Sequence, residues 1–129
     1  MSQTNAELRL PADSAYVAAV RLTTAALAAR LGFTLEDLED ARIAVSEACN
    51  LLLDVSGSER TEGAGMIDIR FGLDDRSLSV DISAPDRGEL DVDSFSWQVL
   101  DAVSVDLYAE VRDGLRHISY ISKSATWSG

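Results

Sequence analysis

Glu47 and Asn50 are the two residues of this 129-residue chain whose types and spacing best suit chemistry. Residues three positions apart on a helix lie about one turn apart on the same face. A carboxylate and an amide placed side by side in this way suit a hydrated Mg²⁺ ion that carries phosphates. The same spacing is also typical of a solvated acidic face on a core helix, so the spacing alone leaves both interpretations open.

A helix over residues 34–54 must position this pair. Thr34 followed three residues later by Asp37 is a close variant of the capping box. Apolar residues then recur at steps of three and four, namely Leu38, Ala41, Val45, Ala48 and Leu52. The polar residues fall largely on another face, namely Glu36, Asp40, Glu47, Asn50 and Asp54. The sequence therefore predicts a half-buried helix around which the rest of the chain is organised.

The segment I-A-V-S-E-A-C-N-L-L within this helix resembles the first nucleotide-binding box of the GHKL, or Bergerat-fold, ATPases. It is most similar to the branch of bacterial anti-sigma factors that double as serine kinases. In that branch, V-S-E-A-x-x-N supplies a Glu near the attacking group and an Asn on the metal. The resemblance thus gives Glu47 the catalytic role. The family's Asn falls at Leu51, so Asn50, one place earlier, is the candidate ligand for Mg²⁺ and nucleotide.

A second segment of the family pattern follows a predicted strand. In GHKL proteins, D-x-G-x-G supplies an Asp that accepts a hydrogen bond from the adenine amino group, and glycines that allow close backbone approach. The resemblance therefore implies that Asp86 and Gly88 bind nucleotide, although Leu90 replaces the second glycine. The alternative is an ordinary turn led by Pro85, because an isolated D-x-G is common in turns.

The third segment departs furthest from the nucleotide-binding pattern. Family members that hold ATP have a mobile lid and then a G-x-G at a helix N-terminus. Here only residues 89–93 precede S-F-S-W, in which Ser94 and Ser96 replace the glycines. Degenerate actinobacterial-type members of the anti-sigma branch are similar in this respect. Ser94 is a good N-cap for a helix that reaches Val103, and both hydroxyls are candidate phosphate contacts.

These departures predict weak or absent ATP binding and little kinase activity. The resemblance implies ATP or ADP with Mg²⁺ as cofactors. However, Leu51 removes an oxygen ligand, and the side chains at the former glycines restrict backbone approach. Five residues are also too few for a lid that excludes water.

An earlier helix carries the candidate for contact with protein partners. Asp13 or Ser14 caps it, Gly32 ends it, and its apolar stripe comprises Val17, Val20, Thr24, Leu27 and Leu31. Arg21 is the one charge in the middle of this alanine-rich segment. It is either a surface side chain that covers apolar atoms or, as the resemblance implies, a residue that meets protein partners.

The remaining segments predict strands. Strands are expected at Glu7–Leu10, Ile67–Phe71 and Leu78–Ser83, with residues 73–77 as a hairpin connection. Alternating residues from Val105 to Val111, an Asp-Gly turn and residues 116–123 predict a second hairpin. A polar loop over 56–65 and a tail containing Trp127 complete the chain. The order predicts one α+β domain over residues 1–129, a two-layer sandwich with helices on one face of a mostly antiparallel sheet.

Composition excludes several classes of function. The formal net charge of −11 argues against direct binding to nucleic acid and suits a basic protein partner. No apolar run is long enough to span a membrane, and no secretory signal is apparent, so a cytoplasmic protein is expected. The single cysteine, Cys49, forms no intrachain disulfide and is expected to be a small buried residue. With one histidine, His117 in a predicted strand, neither a soft metal site nor a hydrolytic triad is supported.

Three functions fit these observations. The resemblance implies an anti-sigma factor that inhibits an alternative sigma factor and is released by an anti-anti-sigma partner. The alternatives are an active ATP-dependent serine kinase that uses Glu47, and a non-enzymatic dimerisation module. A homodimer is also expected. The resemblance implies pairing through the sheet edge near the N-terminus, and the short N-terminal strand has little else to cover its edge.

Overall fold

The computed structural model describes residues 4–53 and 65–124. Their elements are β1 (Thr4–Pro11), α1 (Val17–Arg30), α2 (Leu35–Leu53), β2 (Met66–Asp74), β3 (Ser77–Pro85), α3 (Phe95–Ala102), β4 (Val105–Arg112) and β5 (Leu115–Lys123). A single 3-10 turn, Ser14–Tyr16, precedes α1. Asp54, nearly all of the predicted polar loop and Trp127 lie outside the described residues. None of the helices in the described ranges combines the length and the apolar character that crossing a bilayer requires.

α1 ends where its sequence predicts, but it begins later than the predicted cap at Asp13 or Ser14, because a 3-10 turn lies between that cap and Val17. The Asp13 carboxylate accepts a hydrogen bond from the backbone N–H of Ala15 at 2.9 Å, which caps the preceding 3-10 turn. Gly32 follows the helix with φ +78°, a left-handed conformation that favours glycine. The buried face of α1 comprises Val17, Val20, Thr24 and Ala28.

α2 is the central helix. The Thr34 hydroxyl accepts a hydrogen bond from the backbone N–H of Asp37 at 3.1 Å, so the predicted cap forms. Its predicted apolar stripe is buried except for the partly buried Leu38, and Ala44 and Cys49 widen it. The helix packs against β3 and β5 and contacts both α1 and α3.

The five strands form one antiparallel sheet in the order β1-β2-β3-β5-β4. Burial alternates along β2, where Ile67, Ile69 and Phe71 are buried while Asp68 and Arg70 are not. Because successive strand residues face opposite sides, the buried residues share one face of the sheet, against which α2 packs. The opposite face, which the described helices do not cover, is called the open face. This arrangement confirms the predicted α+β two-layer fold.

The two hairpins differ in how well their turns follow the prediction. The β2–β3 connection is shorter than the predicted 73–77, because only Asp75 and Arg76 lie outside the strands. The β4–β5 turn consists of Asp113 and Gly114, whose φ angles of 53° and 78° are typical of the predicted Asp-Gly type I′ turn.

β4 contains a bulge that the sequence analysis missed. Val105 pairs with Ile121 and Tyr108 pairs with Ser119, so β4 has one residue more than β5 between these pairs. Asp106, inside the bulge, has φ +54°. An extra residue in a strand moves the residues before it to the opposite face of the sheet. Val105 therefore lies on the open face. The predicted alternation along β4 is therefore wrong at its first residue.

Candidate functional site

Five of the predicted site residues line one cavity of about 470 Å³, namely Asn50, Asp86, Gly88, Ser94 and Ser96. The cavity forms where the C-terminal end of α2, the segment after β3, the start of α3 and the start of β5 meet. Its volume lies within the range of small-molecule sites, about 300–1,000 Å³. Residues from three separate parts of the sequence pattern thus converge on a single site.

The other two predicted residues lie elsewhere. Glu47 is half-buried on α2 and is not part of the cavity lining, although Asn50, three residues later, is exposed and belongs to it. Arg21 is half-buried on α1 and also lies outside the lining. The cavity lining therefore includes the candidate metal ligand Asn50 but not the predicted catalytic carboxylate of Glu47, which lies about one helical turn away on α2.

The turn after β3 is held by its own backbone and by the neighbouring hairpin. The backbone N–H of Asp86 donates to the carbonyl of Gly114 at 2.9 Å, and Asp86 Oδ1 accepts from the N–H of Gly88 at 3.3 Å. Gly88 has φ +121°, a conformation that residues with a side chain rarely adopt. A Cβ built there would meet nothing within 4 Å, so this glycine is required by the backbone conformation rather than by crowding.

Arg116 is a site residue that the sequence analysis missed. Its Nη2 donates to Asp86 Oδ1 at 3.2 Å and to the carbonyl oxygen of Gly88 at 2.7 Å. The Arg116 side chain is only 19% exposed. Strand pairing sets Arg116 opposite Ala84, two residues before Asp86. The signal in the sequence was its position directly after the predicted Asp-Gly hairpin, once β5 is paired with β3.

Ser94 serves α3 as predicted. Its hydroxyl oxygen accepts a hydrogen bond from the backbone N–H of Trp97 at 3.2 Å and so caps the helix. Ser96, half-buried in the first turn, also lines the cavity. The Ser94 oxygen already accepts the hydrogen bond from the backbone N–H of Trp97. The N-terminus of α3 therefore has one backbone N–H group fewer to donate to an anion.

The cavity suits a nucleotide base better than a metal-bound triphosphate. Asp86 supplies a carboxylate on a turn that hydrogen bonds hold in place. Leu51 lines the same cavity with an apolar side chain next to the exposed Asn50, whose amide oxygen is a single hard ligand where Mg²⁺ takes six. The charged lining residues are Asp86, Glu89, Asp91, Arg87 and Arg116, three acids against two bases. This balance disfavours a highly negative ligand that lacks a bound cation.

Arg21 is half-buried on α1 and lies near enough to the buried Cys49 of α2 for its charge to act on that residue. Within the described residues it forms no salt bridge, although its charge acts on the buried thiol of Cys49. Burial raises the pKa of that thiol to about 12, and Arg21 opposes the rise. Burial also raises the pKa of Tyr120 well above its usual value, with a smaller contribution from Cys49. The guanidinium of Arg21 is therefore held near the core without a carboxylate partner in the described part of the chain.

Comparison with known proteins shows similarity to one family. Residues 10–97, about two thirds of the chain, match the histidine kinase-like ATPase domain. A serine-protein kinase RsbW of Bacillus velezensis is 40% identical over 83 residues, which cover 64% of this chain and 49% of the relative. The Bacillus cereus protein of the same name is 43% identical over 82 residues, covering 64% and 48%. The Bacillus thuringiensis one is 42% identical over 74 residues, covering 57% and 44%.

The family match covers the predicted residues of the cavity but not Arg116. The chain spans about half the length of the curated relatives it matches. The matched range of the family runs from the end of β1 to the first turn of α3 and contains Asn50, Asp86, Gly88, Ser94 and Ser96. The match agrees with the α+β fold and with the order of its elements, and the chain belongs to the histidine kinase-like ATPase domain family.

Proposed function

We propose that this protein is an anti-sigma factor. It binds and inhibits an alternative sigma factor that serves stress or development, and an anti-anti-sigma partner releases it by partner switching. Family membership and the similarity to proteins named serine-protein kinase RsbW support this proposal. So does the surface of α1, which is the observation that carries it.

The outer face of α1 is apolar and exposed. We define this face as Ala18, Ala19, Leu22, Ala26 and Ala29, all of which are exposed although none is polar. Leu22 is 72% exposed. A surface helix ordinarily turns polar residues to solvent, so an apolar outer face opposite an apolar buried face is typical of a helix that packs on both sides. The second side is available to a protein partner.

Arg21 adds a charge to the edge of this face. It is next to Leu22 and has no salt bridge within the described residues. Small side chains such as alanine allow a partner to approach the helix backbone closely, and an adjacent guanidinium can then bind a partner carboxylate in a shielded position. Arg21 is therefore the proposed partner-binding residue.

The nucleotide site is proposed to be weak. Asp86 and Gly88 would hold the adenine of ATP or ADP, while Asn50, Ser94 and Ser96 would lie along the phosphates. Mg²⁺, if bound, would depend on Asn50. The cavity volume and the fixed Asp86 turn support the base site, whereas Leu51 and the acidic lining disfavour the metal and triphosphate.

An active serine kinase is the second candidate function. The names of the matched relatives favour it, and Glu47 would be its catalytic residue. The position of Glu47 outside the cavity lining disfavours it. Positioning and electrostatic stabilisation supply most of the catalysis of phosphoryl transfer, so a carboxylate that does not line the cavity is poorly placed for this role.

Three further properties belong to the same proposal. Residues 1–129 form one domain, supported by a single hydrophobic cluster shared by all three helices and the sheet in the described ranges. The protein acts in the cytoplasm, where sigma factors are. It forms a homodimer through β1, which is an edge strand of the sheet.

Co-purification from the native cell tests the proposal. The tagged chain should capture a sigma factor, and Arg21→Glu should lower the captured amount at least tenfold because a carboxylate would replace the guanidinium. Arg42→Glu is the matched control, since Arg42 lies on α2 and already pairs with Glu39 at 3.4 Å. If the tagged chain captures no sigma factor, the proposal is contradicted. If the unaltered and Arg21→Glu chains capture equal amounts, the role of Arg21 is contradicted.

A further inference from the structure

We propose that Arg116 is a positioning residue that presents Asp86 to the amino group of an adenine base. This inference rests on the proposed nucleotide site and deepens it, because it names what selects the base. Arg116 comes from β5, which the matched range of the family does not include.

The hydrogen bonds at Asp86 use one carboxylate oxygen. Oδ1 accepts from the N–H of Gly88 at 3.3 Å and from Nη2 of Arg116 at 3.2 Å. No hydrogen bond to Oδ2 is present among the described residues. The carboxylate is therefore fixed through one oxygen and keeps the other available as an acceptor.

Arg116 also fixes the turn itself. The same Nη2 atom that reaches Asp86 donates to the carbonyl oxygen of Gly88 at 2.7 Å. The guanidinium thus ties the first and last residues of the Asp86–Gly88 turn to the start of β5. Charge-assisted hydrogen bonds of this kind are stronger and geometrically more selective than neutral ones. A side chain held in this way is preorganised for a ligand rather than free to rotate.

A fixed carboxylate oxygen discriminates between purines. An ionised carboxylate can only accept hydrogen bonds, so it matches the 6-amino group of adenine. In a 6-oxo purine such as hypoxanthine, the group at position 6 is a carbonyl oxygen, which is itself a hydrogen-bond acceptor. Placed next to Asp86, it would leave both acceptors without a donor. If Asp86 could rotate away, this penalty would shrink. Arg116 therefore acts on the ratio of the two affinities as well as on the affinity for adenine.

The experiment compares ADP with inosine 5′-diphosphate by ligand-observed NMR titration, which measures weak binding. Arg116→Met should lower the affinity for ADP about tenfold, the scale expected for losing a charge-assisted hydrogen bond. The affinity for the inosine nucleotide should change less than about twofold, so that the preference for adenine falls. Arg112→Met is the matched control. It removes the same charge from the same hairpin, but Arg112 pairs with Glu110 at 3.0 Å and does not line the cavity.

Each outcome of the titration tests a different part of the proposal. A reduced ADP preference in Arg116→Met but not in Arg112→Met supports the role of Arg116. An equal loss for both nucleotides would mean that Arg116 only shapes the cavity, and unchanged affinities would mean that it has no role. No binding of either nucleotide by the unaltered protein would overturn the nucleotide site itself, and the role of Arg116 with it. Should Arg116→Met fail to fold, Arg116→Gln, too short to bridge Asp86 and Gly88, gives the same comparison.

Discussion

Tyr120 places a hydroxyl in the core without a hydrogen-bond partner among the described residues. The residue is 2% exposed, and a buried polar group without a partner costs about 1–3 kcal/mol. We therefore expect Tyr120→Phe to leave the free energy of unfolding unchanged or to raise it by about 1 kcal/mol. Urea unfolding measures this. Tyr108→Phe, whose residue is 52% exposed, is the control and should change nothing. A loss above about 1 kcal/mol in Tyr120→Phe would mean that the hydroxyl is bonded after all.

The buried thiol of Cys49 should make the free energy of unfolding depend on pH in the alkaline range. Burial raises the pKa of its thiol in the folded chain from 9.0 to about 12. Below pH 9 the thiol is protonated in both states and contributes no pH dependence. Above pH 9 the unfolded chain loses the proton while the folded chain keeps it. The free energy of unfolding should therefore fall by up to about 1.4 kcal/mol per pH unit until pH 12.

A Cys49→Ala variant isolates this effect. Its free energy of unfolding should vary less between pH 9 and 10 than that of the unaltered chain, because no thiol remains to titrate. Tyr120, whose pKa is raised in the same direction, adds a similar loss only above its usual value of 10.0. Identical pH dependence of unfolding in both chains would contradict the assigned burial of the thiol.

The elements around the cavity predict weak binding of Mg·ATP. α2 supplies Leu51 where the family pattern has an Asn, and only residues 89–93 separate the Asp86 turn from Ser94. Calorimetric titration should give no saturable binding in the micromolar range, since a triphosphate needs a cation and exclusion of water. Micromolar affinity that disappears in Asp86→Ala would contradict this expectation and favour the kinase.

Element ends defined by local chemistry were predictable, whereas long-range contacts were not. The cap at Thr34 and the glycine after α1 follow from spacing within a few residues, and both form as expected. The bulge at Asp106 was missed because a run of alternating residues carries no mark of an inserted one. The contact of Arg116 with Asp86 was missed because it joins residues 30 apart through strand pairing.

The sheet edge predicts the state of the whole molecule in solution. Among the strands of residues 4–53 and 65–124, β1 has a neighbour on one side only, so we expect its other backbone edge to pair with a second copy. Sedimentation at micromolar concentration should show a species of about twice 13.9 kDa. A single species of 13.9 kDa across the concentration range would exclude the dimer.

Charge and surface chemistry of the whole molecule agree with a role in binding proteins. The chain has a formal net charge of −11, which disfavours nucleic acid, and yet α1 presents an apolar outer face with Arg21 at its edge. An inhibitor of transcription with these properties would act on a protein component of the transcription machinery rather than on the promoter.

Transcription in vitro tests this account most directly. RNA polymerase carrying the captured sigma factor is assayed on a promoter that depends on that factor, with increasing amounts of the purified chain. The account predicts that run-off transcript falls to background near equimolar chain and sigma factor, and that Arg21→Glu requires at least tenfold more. Undiminished transcription with the unaltered chain in tenfold excess would contradict the assignment as an anti-sigma factor.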